Sequence, residues 1–593
     1  MRYPIEKLLQ NFSIIIDKYF KIYKKLIDRV PENNNFSADP LQLNQLMVKL
    51  FNNVMSDPDR IIKYQMSFFK GQLETIEEIC SRYYQSSSPK ESSNANKDKR
   101  FKNILWEEHC AFAWLKDAYF TYAKWLDSVI LELPRDDFTA LEFRRLNFII
   151  KQFLDAIAPS NFPNTNPEVV HSFFDSAGEN FIKGLDNLMN DIENSRNSLQ
   201  IKNNDSSKFN VGENIAISEG KIVYQNKLIQ LIHYKPLRAE NYSVPMLIIS
   251  PFINKYYVMD MQPENSLVKW LLEQGHNVFM ISWTNPNESL KEHDFSDYML
   301  DGPLSALDYL SNSLGIEQVN ALGYCIGGTL LAATLSYMKS NNDKRIKTAS
   351  FLTTLIDFEE AGDLSIFVDD CFIKEVARHM QASGGYLDGN DLALTFNLLR
   401  SNDMIWPFYI NNYLLGKDSF PFDLLYWNSD STRLPMKLHL FYLKNMYKDN
   451  LLKIPGGITI NEREIDISLI DIPCFAMAAK GDHIVPWKNA FNSAKLFSGP
   501  TNFILAESGH VAGVINHPNN NKYSYWQNSE NFKTFSCHEN WLESADERSG
   551  SWWIYWQEWL KDHSGKLIQA QDPEEVNPHI IESAPGSYVK IRY

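Results

Sequence analysis

The chain has 593 residues, about four times the ~150 residues of a typical domain, so it can form two or three cores. Apolar residues make up 44% and charged residues 22%, which excludes a disordered, collagen-like or disulfide-scaffold chain. The net charge of -15 provides no basic field for DNA or RNA, so we expect no nucleic-acid partner.

The cysteines and the N-terminus bear on the compartment. Six cysteines are scattered without CxxC pairs, which predicts neither a zinc site nor a disulfide framework; we expect no metal and no cofactor. Residues 1–7 contain no apolar run long enough for a signal peptide. The uncharged run 319–338 carries glycines and hydroxyls and indicates strand, turn and helix. We expect a cytoplasmic protein without a transmembrane segment.

The N-terminal third has helical periodicity. Apolar residues recur at helical spacing over 40–80, interrupted by a turn at 56–58, and an aromatic amphipathic run follows over 101–132. The serine-rich stretch 86–99 between them predicts a mobile loop. We predict a mostly α-helical domain over 1–205, whose aromatic stripe either packs between helices or docks a partner or hydrophobic particle.

Beyond residue 205 the pattern changes to short apolar runs separated by helix-sized segments. The runs lie at 246–250, 277–282, 319–323 and 349–356, with two more at 474–479 and 502–506. This alternation predicts an α/β domain over 206–593 with a largely parallel sheet. The aromatic stretch from about 358 to 452 lacks the alternation and predicts an inserted cap over the carboxyl edge of the sheet.

The segment 319–332 has the form of a nucleophile elbow, in which a strand turns sharply into a helix. Cys325 occupies the nucleophile position, and Gly323 and Gly327 flank it where side chains would block the approach of strand and helix. A thiolate there would lie at a helix N-terminus, which favours negative charge. Cys325 is the predicted nucleophile, with a structural cysteine as the alternative.

An acid and a base follow in the chain order that an α/β-hydrolase requires. Asp482 comes after the apolar run 474–479, and His510 comes after 502–506. We predict Asp482 as the acid and His510 as the general base. The alternatives are a solvated turn aspartate and His483, which shares the Asp482 turn.

An acyl-transfer site also needs hydrogen-bond donors for the oxyanion. The backbone N–H of Ile326, directly after the nucleophile, is the predicted first donor. The second donor is expected from an earlier loop, and 251–255 is the best candidate.

Six strings of this sequence together resemble polyhydroxyalkanoate synthases: PFINKYY at 251–257, SWTNP at 282–286, GYCIGGT at 323–329, DHIVPW at 482–487, SGHVAGVIN at 508–516 and APGSYV at 584–589. The resemblance extends from about residue 155 to the C-terminus and is weaker through the helical part. One departure is Asn287, where the family often has aspartate.

The resemblance implies an α/β-hydrolase fold and polymerisation of (R)-3-hydroxyacyl-CoA into a polyester, with release of CoA and growth of a cytoplasmic granule. The length of the chain and its helical N-terminal domain resemble those of class I synthases, which act as homodimers on short-chain substrates. The class II synthases are similar in size. It implies Cys325 as acyl carrier, His510 as base and Asp482 as acid, which either orients His510 or helps activate the incoming hydroxyl.

Several aromatic residues outside the elbow could either contact substrate, polymer or granule or pack in the core. Trp406, Tyr413 and Trp427 are candidates for lining the substrate path, with core packing as the alternative. The tryptophan-rich run 552–560 either packs against the sheet or contacts polymer or granule. The rival functions are a cysteine-dependent thioesterase or depolymerase and a non-catalytic protein that binds polyester granules.

Overall fold

The computed structural model describes residues 5–27, 42–84, 98–195 and 199–592. The chain divides into two compact units: residues 1–205 with 395–420, here called the helical unit, and residues 206–394 with 421–593, here called the α/β unit. The stretch 395–420 of the predicted cap therefore belongs to the helical unit. The role of the insertion as a cap stays a prediction.

Within the described residues, the N-terminal part of the helical unit forms these helices: α1 (Ile5–Ile27), α2 (Leu43–Met55), α3 (Pro58–Tyr84), α4 (Leu105–Glu108), α5 (Cys110–Leu131), α6 (Ala140–Ile157), α7 (Pro167–Asp175) and α8 (Glu179–Asn194). The predicted turn at 56–58 is confirmed, since α2 ends before it and α3 begins with Pro58. The predicted loop 86–99 lies almost entirely outside the described residues.

Part of the aromatic run of the helical unit is core. Trp106 and Tyr119 are buried, and the rings of Trp106 and Phe101 lie 4.9 Å apart. Trp114, in contrast, is exposed. Packing between helices therefore accounts for Trp106 and Tyr119.

The segment 395–420 is bound to the N-terminal helices by buried hydrogen bonds. The carboxylate of Asp155 accepts from the Ser401 hydroxyl at 3.0 Å and from the Asn402 amide at 2.6 Å. The Tyr413 hydroxyl donates to Asp191 at 2.6 Å. Charge-assisted bonds to buried carboxylates are strong, so they explain why this segment folds with the helices although it interrupts the α/β unit.

The strands of the chain are β1 (Gly220–Gln225), β2 (Ile229–Tyr234), β3 (Glu240–Tyr242), β4 (Met246–Ile249), β5 (Val278–Trp283), β6 (Val319–Tyr324), β7 (Ile346–Leu352), β8 (Tyr386–Leu387), β9 (Leu434–Pro435), β10 (Ile458–Ile460), β11 (Arg463–Ile465), β12 (Cys474–Ala479), β13 (Thr501–Ala506), β14 (Ser524–Gln527), β15 (Asp546–Ser549), β16 (Leu567–Gln569) and β17 (Glu582–Ser583).

The remaining longer helices are α9 (Leu267–Glu273), α10 (Phe295–Met299), α11 (Ser305–Leu314), α12 (Ile326–Ser340), α13 (Asp370–Ala382), α14 (Gly389–Leu399), α15 (Asp423–Ser429), α16 (Met436–Phe441), α17 (Trp487–Lys495), α18 (His538–Glu543), α19 (Trp553–His563) and α20 (Pro573–Val576).

One large mixed sheet organises the α/β unit. Its strand order is β15-β14-β13-β12-β7-β6-β4-β5-β2-β1-β17. The central strands, from β13 to β5, pair in parallel, and antiparallel strands extend both edges. Every predicted strand lies in the parallel centre, and the predicted α/β-hydrolase fold is confirmed. The carboxyl ends of these parallel strands meet at one edge, where a ligand site is expected.

The central strands are buried on both faces, as parallel strands covered by helices must be. All residues of β4, β5, β6 and β12 are buried. Trp552, Trp553 and Trp556 are also fully buried, and their indole N–H groups donate to Gly513, Val514 and Ser350 respectively. Packing against the sheet therefore accounts for these three tryptophans of the run 552–560.

None of the helices in the described part of the chain combines the length and the apolar content needed to cross a lipid bilayer.

Candidate active site

The elbow at Cys325 has the strained backbone that a nucleophile turn requires. β6 ends at Tyr324, α12 begins at Ile326, and Cys325 between them has φ 53° and ψ −124°. Non-glycine residues rarely adopt a positive φ, and such strain collects at functional sites. The Cys325 N–H donates to the Leu352 carbonyl at 2.9 Å, which ties the elbow to β7.

Glycines allow the elbow to close. A Cβ on Gly323 would lie 2.5 Å from the Cα of Gly328, and a Cβ on Gly327 would lie 2.3 Å from the Ile249 carbonyl oxygen. Real Cβ atoms do not tolerate such distances. The two glycines that the sequence pattern singled out are therefore required by the crossing of β6, β4 and α12.

The predicted oxyanion donor Ile326 is the first residue of α12, whose first N–H groups have no partner within the helix. The backbone after β4 lies beside it, because Ser250 O is 2.8 Å from the position of a Cβ on Gly327. The Trp283 indole fixes that loop by donating to the Ser250 carbonyl at 2.8 Å. The loop expected to supply the second donor thus runs next to the helix N-terminus.

Asp482 and His510 form a hydrogen-bonded pair. One Asp482 oxygen lies 2.6 Å from His510 Nδ1, and the other accepts the N–H groups of Ile484 and Val485, each at 2.9 Å. The Asp482 side chain is fully buried and that of His510 is 9% exposed. Backbone donors therefore fix the carboxylate, which in turn orients the imidazole. His483 does not occupy this position.

His510 also interacts with the Cys325 sulfur. Burial opposes the charged imidazolium, but the Asp482 carboxylate and the Cys325 sulfur outweigh burial and raise the pKa of His510 well above its usual value. An imidazolium beside a thiol favours the thiolate, the nucleophilic form of cysteine. Cys325 remains partly exposed, so a ligand can reach it.

Tyr324 supports this arrangement and was missed in the sequence. Its hydroxyl donates to the His510 carbonyl at 3.2 Å, and its ring stacks on the imidazole at 5.5 Å between centroids. Tyr324 thereby holds the loop of His510 from the position next to Cys325. Its position beside Cys325 was the only signal, because the contact joins residues 186 apart.

Two family models match the chain. Residues 97–271 match the N-terminus of poly-beta-hydroxybutyrate polymerase (PhaC), and residues 245–516 match the alpha/beta hydrolase fold. The poly(3-hydroxyalkanoate) polymerase subunit PhaC of Rhizobium etli is 38% identical over 563 residues, which cover 94% of this chain and 87% of that protein. The chain belongs to the poly(3-hydroxyalkanoate) polymerase family.

Other members of this polymerase family are similarly close in sequence to the chain. The PhaC subunit of Rhizobium meliloti is 39% identical, with 92% of this chain and 89% of that protein covered. The PhaC subunit of Cupriavidus necator is 37% identical, with 84% of this chain and 83% of that protein covered. The resemblance stated from the six strings is thus confirmed.

Asn287, the departure from the polymerase family's pattern, has a local role in a turn. Its side-chain oxygen accepts the Ser289 N–H at 2.9 Å and the Ser289 hydroxyl at 2.7 Å. Asparagine and aspartate both form such turns, so the substitution preserves the local backbone.

The three substrate-path candidates lie in different units. Trp406 and Tyr413 belong to the helical unit, where Tyr413 is buried and hydrogen-bonded to Asp191. Trp427 belongs to the α/β unit, is 5% exposed and donates to the Lys255 carbonyl at 2.8 Å. Packing accounts for Tyr413 and Trp427, and a contact with substrate stays a prediction for all three.

Two tyrosines near Cys325 were not found from the sequence. Tyr442 and Tyr447 lie on a π-helical segment, Tyr442–Lys448, that follows α16. Both phenols interact electrostatically with the Cys325 sulfur. They belong to the aromatic stretch 358–452, where periodicity could not separate site residues from core. Within the described residues, no cluster of three or more His, Cys, Asp or Glu is arranged to hold a metal ion.

Proposed function

We propose that this protein polymerises (R)-3-hydroxyacyl-CoA into a polyester with release of CoA, and that Cys325 carries the acyl group as a thioester. The observation that carries the proposal is the strained cysteine elbow beside a hydrogen-bonded His510–Asp482 pair. Membership of the poly(3-hydroxyalkanoate) polymerase family supplies the substrate class. A short-chain substrate such as (R)-3-hydroxybutyryl-CoA is our choice for the first test.

In the acylation half-reaction, His510 takes the proton of the Cys325 thiol, and the thiolate attacks the carbonyl carbon of the CoA thioester. The carbon–sulfur bond to CoA breaks, and the CoA thiolate leaves with the proton from His510. One thioester replaces another, so the step is close to energetically neutral. The raised pKa of His510 supports the imidazolium that this exchange needs.

In the elongation half-reaction, His510 takes the proton of a 3-hydroxyl group, and that oxygen attacks the thioester carbonyl on Cys325. An ester bond forms, the carbon–sulfur bond breaks, and the Cys325 thiolate regains the proton. The Ile326 N–H at the start of α12 is the proposed donor to the oxyanion in both halves. Because water would divert the acyl group, the nearly complete burial of His510 favours transfer to a hydroxyl on the substrate.

The test is conversion of (R)-3-hydroxybutyryl-CoA by the purified full-length protein. Free thiol measures the release of CoA, and turbidity measures the formation of insoluble polymer. We expect CoA release together with insoluble polymer. CoA release with soluble 3-hydroxybutyrate instead would make the protein a thioesterase. No release from this or longer 3-hydroxyacyl-CoA substrates would contradict the proposal and favour a non-catalytic granule protein.

We further propose that the helical unit attaches the enzyme to the surface of the growing granule. One face of α3 carries an apolar stripe, here called the α3 stripe: Ile62, Met66, Phe69, Leu73 and Ile76. Met66, Phe69 and Leu73 are 67%, 64% and 66% exposed. At 100° per residue this face lies opposite Tyr64 and Thr75, which are buried. Such a contiguous exposed stripe marks an interaction surface.

Replacing Met66, Phe69 and Leu73 together with glutamine tests the attachment. Glutamine keeps helix propensity but removes the apolar contact area, so the share of protein that sediments with preformed poly(3-hydroxybutyrate) particles should fall at least about tenfold. The control is the double variant Lys70→Gln, Glu74→Gln, which removes an ion pair from the same helix without changing net charge.

Unchanged sedimentation of the triple variant would contradict attachment through the α3 stripe. The resemblance implies a homodimer, so the oligomeric state is measured on the same samples. Loss of a dimer with unchanged sedimentation would assign the stripe to a contact between two copies.

A further inference from the structure

An aromatic cluster lies against the nucleophile elbow. The ring of Phe358 is 5.1 Å from that of Tyr447 and 5.8 Å from that of Tyr442, and the two tyrosine rings are 5.8 Å apart. Tyr442 interacts with Thr329 on the first turn of α12, one turn after Cys325. The Thr329 hydroxyl donates to the Leu355 carbonyl at 2.7 Å. The tyrosine segment is thus anchored directly beside the elbow.

A second set of hydrogen bonds holds the end of this segment. Asn450 accepts the Phe358 N–H and donates to the Asp357 carboxylate, both at 2.8 Å. Lys453 pairs with the same carboxylate at 3.1 Å. Because Asp357 and Phe358 follow β7, the tyrosines are fixed to the carboxyl edge of the sheet. Such support gives a binding residue a defined position.

The two phenols differ in the polar group beside them. Thr329 acts on the Tyr442 phenol, whereas the Tyr447 hydroxyl forms no hydrogen bond with another described residue. Tyr447 interacts electrostatically with Cys325 and Asp482, and it is only partly buried. Burial, together with the Cys325 sulfur and the Asp482 carboxylate, raises the pKa of Tyr447. The phenol therefore stays protonated and presents an unused donor at the reacting centre.

We propose that the Tyr447 hydroxyl donates a hydrogen bond to the oxygen on carbon 3 of the acyl group at Cys325, and so selects 3-hydroxyacyl groups over unsubstituted ones. This inference rests on the proposed function. The proposed donors to the carbonyl oxygen lie at the start of α12, and His510 interacts with the sulfur. The 3-oxygen is the remaining polar group of this unit. It is two carbons from the carbonyl, within reach of a side chain that interacts with the sulfur.

The test compares single-turnover CoA release from (R)-3-hydroxybutyryl-CoA and from butyryl-CoA, with enzyme in excess. Tyr447→Phe removes only the donor, so release from the hydroxylated substrate should slow by about 10- to 100-fold, while release from butyryl-CoA should change less than about threefold. The matched control is Tyr442→Phe, which removes the hydroxyl that interacts with Thr329. It should slow both substrates by the same factor.

Equal slowing of both substrates by Tyr447→Phe would overturn the inference, as would no slowing of either. If wild-type protein releases CoA from neither substrate, the proposed function has failed instead. Should the phenylalanine variant not fold, Tyr447→Gln and Tyr447→Leu give the same comparison, because glutamine and leucine are similar to each other in size. The amide of glutamine can donate to the 3-oxygen, so only the leucine variant should lose the preference for the hydroxylated substrate.

Discussion

Replacing Cys325 with alanine is expected to reduce CoA release from (R)-3-hydroxybutyryl-CoA by at least about 10⁴-fold and to stop the rise in turbidity. Without the sulfur, no thioester can form, and His510 retains only a base function towards water. Alanine occupies less volume than cysteine at a partly exposed position, so the fold should be retained. The measurement is a stopped-flow assay of free thiol under enzyme excess, with mass spectrometry of the protein to detect the acyl adduct.

The matched control is Cys371→Ala, because Cys371 is an exposed cysteine in the same unit. It should release CoA at the wild-type rate and carry the adduct. A thermal melt of both variants checks that each is folded. An acyl adduct on the Cys325→Ala protein, or CoA release within tenfold of wild type, would remove Cys325 from the role of nucleophile.

The sequence was most informative where short-range backbone geometry determines function. The strand, the glycines and Cys325 at 319–328 lie within one strand–turn–helix unit, so their spacing predicts the elbow without knowledge of the fold. The central strands were also predictable, because both of their faces are buried and they form continuous apolar runs. The edge strands are short, β14 is only partly buried and β15 is exposed, so they carry no such signal.

The sequence was least informative where contacts join distant residues. Membership of 395–420 in the helical unit depends on hydrogen bonds such as Asp155 to Ser401, across 246 positions. Tyr447 interacts electrostatically with Cys325 from a π-helical segment, whose spacing differs from the α-helical period used to find faces. Periodicity reports which side chains are buried, but not which buried side chains meet.

Asp482→Asn is expected to reduce polymer formation by about 10³- to 10⁴-fold while slowing the first CoA release by only about tenfold. In the wild type, one carboxylate oxygen accepts two backbone N–H groups and the other accepts from His510. Asparagine keeps the first set through its carbonyl oxygen but turns an N–H₂ group towards His510 Nδ1. The turn survives, and the imidazole is left in the wrong tautomer.

Asp482→Asn should slow elongation more than acylation, because a thiol is a far stronger acid than an alcohol. Cys325 can form a thiolate with little help, whereas the 3-hydroxyl of the substrate needs an oriented, basic imidazole. Loss of the carboxylate also removes the interaction that raises the pKa of His510. The pH above which the imidazolium stops protonating departing CoA should therefore move to lower values in the variant.

Rapid-quench measurement separates the first CoA release from later turnovers, each over a pH series. The control is Asp466→Asn, since Asp466 caps a comparable turn by accepting the Ser468 N–H at 2.9 Å. Equal slowing of both phases in Asp482→Asn would mean that Asp482 acts mainly by orienting His510 for every proton transfer. Selective loss of the later turnovers would assign it chiefly to activation of the incoming hydroxyl, and wild-type rates in both phases would exclude it from the mechanism.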